Sequence, residues 1–391
     1  MNDDVVRSVT GLTTRWLREA PAGNSVLSGL GLWPLLAILA TAADEPGRTE
    51  LSASIGRDAE GSVQEAARLI ETLDTSHDLR AALGVWVRDD LKLADSFDSV
   101  MPAPLRGTLT GDGARDKAML DAWVTEHTGG LIQRMPLEVT PDLVLALASA
   151  LSLRTTWAKP FEEQRRRLHD GPWQGQWRWL TRTDAEPATI SLYDDTPAGS
   201  LVTATVAGDA DVDVILGLAA PEAAARDVVP ALVESLARAG TVGEDLLRTA
   251  EAGAEPGPGL RVATTTARKP DVQLSLPPFE VRSEHDLLEH AELFGLTTVS
   301  STPQGRGHFS AISPELLKVS QAKQSVFARF FATGFEAAAV TAIGMTRMAM
   351  PTQQAKRLRL DLDRPFAFAA VHRATRLPIV AGWIAEPTIK G

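Results

Sequence analysis

The 391-residue chain contains no cysteine, which removes disulfide frameworks, thiolate nucleophiles and cysteine zinc sites while leaving the compartment undecided. It also lacks a basic excess. Thirty-nine Lys and Arg stand against 50 Asp and Glu, a formal net charge of −11, so neither nucleic acid nor an anionic membrane surface is an expected partner. No long hydrophobic run is present: Val26 to Ala43 is broken by Ser28, Pro34 and two glycines, and the opening Met1-Asn2-Asp3-Asp4 is acidic where a secretory signal carries positive charge. With no signal peptide and no membrane span in the sequence, the expected location is the cytoplasm, export not being excluded. Asparagine occurs only at Asn2 and Asn24, a bias of composition that carries no functional information.

What remains is ordinary globular usage. Hydrophobic residues make up 44% and charged residues 23%, with 30 Gly and 24 Pro, which is enough to bury a sizeable core and rules out collagen-like or low-complexity chains. The length allows two or three domains or one large one. No repeat of fixed period appears and the Gly/Pro punctuation is spread along the chain, so the expectation is one domain over residues 1–391.

The first half reads as mostly helical. Asp3 to Glu19, Leu35 to Ala43, Gly61 to Leu73 and Asp116 to Gly129 carry apolar residues at three and four spacing, and Gly129-Gly130 makes a natural stop. Leu79 to Arg88 reads as a buried strand; Leu143 to Leu153 fits either a strand or a core helix. From about Ser191 strands dominate: Ser200 to Val206, Val212 to Leu218, Val272 to Leu276, and a final pair Phe366 to His372 and Ile379 to Trp383 joined by a short turn. Helices are expected at Pro221 to Ala239 and Ser283 to Phe294, and a loop at Gly253 to Gly259. Helices first and antiparallel strands later indicate an α+β fold.

Enzyme signatures are missing. There is no GxSxG nucleophile elbow, no GxxxxGK[ST] phosphate loop and no HExxH zinc helix. Gly29-Leu30-Gly31 continues as Leu32-Trp33-Pro34 and lacks the third glycine of a dinucleotide fingerprint, so no cofactor is expected. His285 and His290, five apart, would face different sides of a helix and are expected at the surface rather than on a shared metal. The acidic pairs Asp89-Asp90 and Asp194-Asp195 are read as solvated turn carboxylates. No catalytic constellation survives.

One segment stands out. Phe327 to Pro351 passes from a strand-like run into a tract of small residues. Alanine propensity alone allows a helix over Glu336 to Ala342. A strand reading puts Phe335, Ala337, Ala339, Thr341, Ile343 and Met345 on one face, with Glu336, Ala338, Val340, Ala342, Gly344 and Thr346 on the other. Such a strand could enter a crowded sheet without clashes.

Here the chain resembles the serpins. Gly334-Phe335-Glu336-Ala337-Ala338-Ala339-Val340-Thr341 is similar to the hinge that opens their reactive loop. Further matches follow in the family's order: Asn24 to Ser28, Leu120 to Val124 with Thr128-Gly129-Gly130, Trp157 with Lys159-Pro160-Phe161, Leu274 to Phe279, Phe309 to Ser313, and Arg364 to Phe368 with Gly382-Trp383-Ile384. The resemblance implies a serpin fold of three mostly antiparallel sheets and about nine helices, with an exposed reactive-centre loop; hinge and loop would occupy residues 334–360. It implies a suicide-substrate inhibitor of a serine protease, not an enzyme. After the protease acylates itself on the loop, the freed segment enters the main sheet as a new strand, drags the protease along and stalls deacylation. About a dozen newly paired residues would supply on the order of 10 kcal/mol, comparable to the stability of a domain.

Counting the family's usual fifteen residues with Gly334 as the first ends on Met348, so Met348-Ala349 is the implied reactive bond, with Arg347 as runner-up. A flexible thioether suits elastase-like or chymotrypsin-like pockets, whereas Arg347 would select trypsin-like enzymes. A monomer is expected. No heparin-like activator is expected, because Glu71 to Asp78, where the family's cofactor helix would fall, is acidic. Departures from the family pattern concern the hinge and the sheet-opening region. Phe335 is bulky where the family has Thr, Ser or Val, and must be buried first as insertion begins. Ala332 replaces a glutamate, removing a salt bridge. In the sheet-opening region, which includes Trp157, the family's Ser-Pro-x-Ser, Asn and His correspond to Ser28 to Gly31, Ser149 and Gln324; these either form a substitute hydrogen-bond network or reflect ordinary core drift. A non-inhibitory serpin with a binding or chaperone role, cleaved as a plain substrate, is the alternative.

Overall fold

Runs such as Val212–Leu218 and Phe366–His372 are apolar on both faces, and strands of that kind belong where both faces are covered. The structure, a computed structural model describing residues 2–75, 78–140, 143–335 and 355–389, places them side by side in the middle of a back sheet. Its seven strands run in the order β1 (Ser25–Leu27), β19 (Leu377–Ile384), β18 (Phe366–His372), β10 (Val212–Leu218), β9 (Gly199–Ala207), β8 (Ile190–Thr196) and β11 (Thr241–Val242). All pairs in it are antiparallel.

The main sheet runs β3 (Arg106–Leu109), β2 (Leu79–Arg88), β4 (Leu145–Leu153), β15 (Gln321–Phe330), β16 (Gly334–Phe335) and β5 (Thr155–Thr156), with β14 (Phe279–Asp286) on the other side of β15. Leu145–Leu153 is the segment that periodicity alone left between strand and helix. It is a strand because its two faces serve two cores: Leu145, Leu147 and Leu151 join the large one, while Ala146, Ala148 and Ala150 join a smaller one with Trp86, Leu120 and Val124. A third, five-stranded sheet runs β12 (Leu260–Thr265), β17 (Ala355–Asp361), β13 (Asp271–Leu276), β7 (Gly175–Asp184) and β6 (Glu162–Leu168). Across the three sheets the pairs are antiparallel except β2–β3, β4–β15 and β13–β17.

Nine α-helices occur among the described residues: α1 (Asp3–Leu17), α2 (Trp33–Ala42), α3 (Gly47–Ile55), α4 (Ser62–Thr75), α5 (Phe97–Val100), α6 (Gly113–His127), α7 (Ala225–Ser235), α8 (Gly243–Thr249) and α9 (Thr297–Ser300). The α+β fold with three mostly antiparallel sheets follows the expectation. The helix expected at Ser283 to Phe294 does not form. Ser283 to Asp286 complete β14, paired with β15 from Phe279↔Phe330 to Asp286↔Lys323, and only a short 3-10 turn follows over Leu287–His290. The eight-residue ladder outweighs the helical spacing of Leu287, Leu288 and Ala291. Nor is His285 a surface residue: it packs edge-on to Trp16 of α1 at 4.9 Å, and its Nε2–H donates to Val26 O at 2.8 Å. Burial pushes its pKa below the usual 6.5. Asp89-Asp90 lie in a turn, whereas Asp194-Asp195 end β8 just before one.

Candidate functional site: the seam and the hinge

Between β4 and β15 the main sheet has a parallel seam of seven residue pairs, Gln321↔Ala146 through Phe327↔Ser152. A parallel ladder is slightly weaker per residue than an antiparallel one, and here it joins two strands that end in separate connections. Above the seam the strands part. β15 ends at Phe330, the chain reverses through Phe331 to Thr333, and Gly334–Phe335 returns as β16, antiparallel to both β15 and β5. The reversal is tightly bonded: Phe331 N donates to Gly334 O at 2.9 Å, Trp157 N to Thr333 O at 3.0 Å, and Phe161 N to Ala332 O at 2.7 Å. Ala332 thus serves through its carbonyl in a position where it has no charge to offer.

Glycine at 334 follows from distance. A Cβ there would lie 2.3 Å from Thr155 O, so only hydrogen lets the backbone come this close to β5. Phe335 is fully buried. Its ring meets Trp157 edge-on at 6.4 Å and Phe368 at 6.5 Å, inside a cluster where Phe330 lies 4.6 Å from Trp157 and 5.4 Å from Phe279. Trp157 is itself fixed by its indole N–H, which donates to Phe331 O at 2.8 Å. The bulky hinge residue that had to be buried first is therefore already buried, and an aromatic pocket has been built around it.

Below the hinge, Ser28, Ser149 and Gln324 come together, all fully buried. The Gln324 amide uses both ends: Oε1 accepts from Ser28 N at 3.0 Å, while Nε2 donates to Ser28 O at 2.9 Å and to Ser149 Oγ at 3.3 Å. Ser28 Oγ donates to Ile379 O at 2.6 Å on the back sheet and accepts from Gly31 N at 3.1 Å. A side chain at Gly31 would collide with Leu151 at 2.0 Å and Ser149 Oγ at 2.7 Å, so the small residue lets this segment press against β4. The arrangement ties β15 to the layer beneath and, through Ser149, crosses the seam. These three residues are 121 and 175 positions apart (28, 149 and 324), and no local pattern connects them.

Gln324→Leu should leave the Ser28 N–H and C=O buried without partners, at a cost of about 2–4 kcal/mol. At the unfolding entropy typical of a chain this long, that lowers the melting temperature by roughly 3–5 °C. An unchanged transition by calorimetry would mean the amide contributes nothing to holding the seam.

Of the sequence-derived site, Glu336 to Thr341, Arg347, Met348 and Ala349 lie outside the described residues; Gly334, Phe335, Ser28, Ser149, Trp157 and Gln324 are placed as above. The pocket around Phe335 was not foreseen, since its members come from the loop after β5 and from β14, β15 and β18. Its one sequence signal is the cluster Phe327, Phe330, Phe331 and Phe335 itself.

Residues 10–170 and 259–387 match the family model described as Serpin (serine protease inhibitor). A serine protease inhibitor from Cyanea capillata is 22% identical over 378 residues, covering 93% of this chain and 92% of that protein. Among solved structures, human thyroxine-binding globulin complexed with thyroxine superposes with a TM-score of 0.71 at 17% identity, covering 99% of this chain and 98% of the other. The thermophilic serpin tengpin in its native state gives 0.71 at 17%, covering 98% and 94%.

Proposed function

Because this chain belongs to the serpin family, we propose that it inhibits a serine protease once, as a suicide substrate, acting as a monomer without a cofactor. The observation that carries the reading is β16. Two residues of the hinge already lie between β5 and β15 in the orientation a full inserted strand would need, antiparallel to both, above a parallel seam that such a strand would convert into two antiparallel ladders. In the proposed sequence the protease serine attacks the Met348 carbonyl, the amine of Ala349 leaves, and the freed segment continues β16 downward with the acyl-enzyme attached to its end.

A second reading has its own support. Phe335 anchored among aromatic rings and Ala332 in place of a glutamate suit a non-inhibitory serpin, and the likeness to a thyroxine-binding globulin makes a binding role a concrete rival. One experiment separates them. With a panel of elastase-like, chymotrypsin-like and trypsin-like proteases, the inhibitory reading expects an SDS-resistant covalent complex and a released C-terminal fragment beginning at Ala349. A fragment beginning at Met348 moves the bond to Arg347 and the target to trypsin-like enzymes. Complete cleavage with no complex at any enzyme ratio favours the non-inhibitory reading.

A further inference from the structure

β17 leads the chain away from the far end of the loop, and it is held on both sides. On one side it pairs in parallel with β13, from Asp271↔Arg357 to Ser275↔Asp361. On the other it pairs with β12 over six residues, from Leu260↔Leu360 to Thr265↔Ala355. Without β12, β17 would be the edge of its sheet. Side chains add to the grip: Arg357 binds Asp271 through two hydrogen bonds of 2.6 and 2.7 Å, and Lys356 Nζ donates to Leu247 O at 2.9 Å and Ala250 O at 2.7 Å at the end of α8. β12 has its own support, because Gly253 N donates to Val262 O at 2.7 Å and Val262 N to Ala254 O at 2.9 Å.

This grip matters because of chain length. Continuing β16 along β15 in the observed register would bring Gly344 level with Gln321 at the foot of the strand, about 30 Å below Phe335. Ten residues, or eleven Cα-to-Cα steps, would then join Gly344 to Ala355, and fully extended those steps span about 36–40 Å. They would have to turn, climb back past the hinge and cross to β17. The loop after β5 bonds the turn before the hinge, Phe161 N to Ala332 O, and sits beside β7, where Arg182 Nη1 donates to Lys159 O at 2.9 Å; β17 lies two strands beyond β7, about 10 Å. In an uncut chain the return segment is drawn almost straight, so completing the insertion pulls directly on β17. Cleavage removes that load.

We propose that β12 is a clasp that fastens β17 and so keeps the uncut loop from entering the main sheet, reserving insertion for the cleaved chain; this rests on the inhibitory reading. The alternation that turns Val262 N–H and C=O toward Ala254 and Gly253 leaves the N–H of Ala263 facing Arg357, so Ala263→Pro removes a ladder bond and loosens the clasp. Arg261→Cys with Arg359→Cys tightens it: the two positions are directly opposite and exposed, their Cα atoms about 5.5 Å apart suit a disulfide, and the chain has no other cysteine.

The test incubates each intact protein below its melting temperature and follows, on native and urea gels with mass spectrometry, the uncut form that resists unfolding. Ala263→Pro is expected to convert at least about tenfold faster than the parent. The oxidised double-cysteine protein should convert at least about tenfold slower, with reductant restoring the parent rate. If Ala263→Pro fails to fold, the oxidised and reduced forms of the other variant still decide. Equal rates in all proteins, or no conversion even when the clasp is loosened, overturn the proposal. The inhibitory reading is checked separately by cutting the parent loop: a stability gain there with unaltered conversion rates sinks the clasp alone, whereas no gain on cutting sinks insertion itself.

Discussion

On the inhibitory reading, Ala339→Arg should yield a plain substrate, cut at the same bond and at similar speed but releasing active protease. Two independent registers lead to this expectation. Carried down from Phe335↔Phe330, Ala339 would lie opposite Val326; carried down from Phe335↔Thr155, it would lie opposite Leu151. Val326 and Leu151 face each other across the present seam, so the two ladders agree. Both belong to the large core and are fully buried, as is Phe335 on the same face. A guanidinium entering there meets a penalty of several kcal/mol, enough for hydrolysis to win the race against insertion. Ala338→Arg should do markedly less harm. It would arrive between Phe327 and Ser152 on the opposite face, where Arg282 already stacks over the Phe327 ring at 5.1 Å with its side chain exposed. Measured stoichiometries of inhibition decide: if both variants match the parent, strand insertion is wrong, and if both fail equally, the facing is wrong.

Cleavage of the loop should also raise the melting temperature of the protein, by about 10–15 °C. Insertion from Glu336 to Gly344 adds two ladders along nine residues and dissolves the seven-pair parallel seam. The net gain is on the order of ten hydrogen bonds at about 1 kcal/mol each. Divided by an unfolding entropy of roughly 0.8 kcal/mol/K for a chain of this length, that yields the stated shift. The same registers bring Thr341 between Ser149 and Gln324, where its hydroxyl can take over the bond those two now share. A melting temperature that stays level or falls after complete cleavage would favour the non-inhibitory reading.

Strands whose environment is written along their own length were legible. Leu79–Arg88, Val212–Leu218 and Phe366–His372 carry continuous apolar runs, and the structure has them at the expected residues. β6 could not be seen: Glu162–Leu168 reads Glu-Glu-Gln-Arg-Arg-Arg-Leu, and as an edge strand it buries only its last residue. β14 reads as part of a helix because its partner β15 comes only later in the chain, while the apolar spacing just beyond β14 imitates a helix. β12 was overlooked although Leu260 and Val262 alternate inward, because two hydrophobic residues between a glycine-rich loop and Arg268-Lys269-Pro270 are a weak signal. The site divides in the same way. Family resemblance supplied Ser28, Ser149 and Gln324, and only the fold could say that the Gln324 amide bonds both serines.

The back sheet closes by joining segments far apart in sequence: Ser25 of β1 lies opposite Trp383 of β19, 358 positions later. At a synthesis rate of about 5–20 residues per second, β1 waits roughly 20–70 seconds for its neighbour. During the last few seconds of that wait, residues 336–354 have left the ribosome while β17, β18 and β19 are still emerging or unpaired. The far end of the loop is then unfastened, and the seam is open to being filled from within. On the inhibitory reading, how quickly the C-terminal strands dock then sets the fraction of newly made molecules able to trap a protease, so a slow step there should lower the active yield without changing one contact of the finished fold.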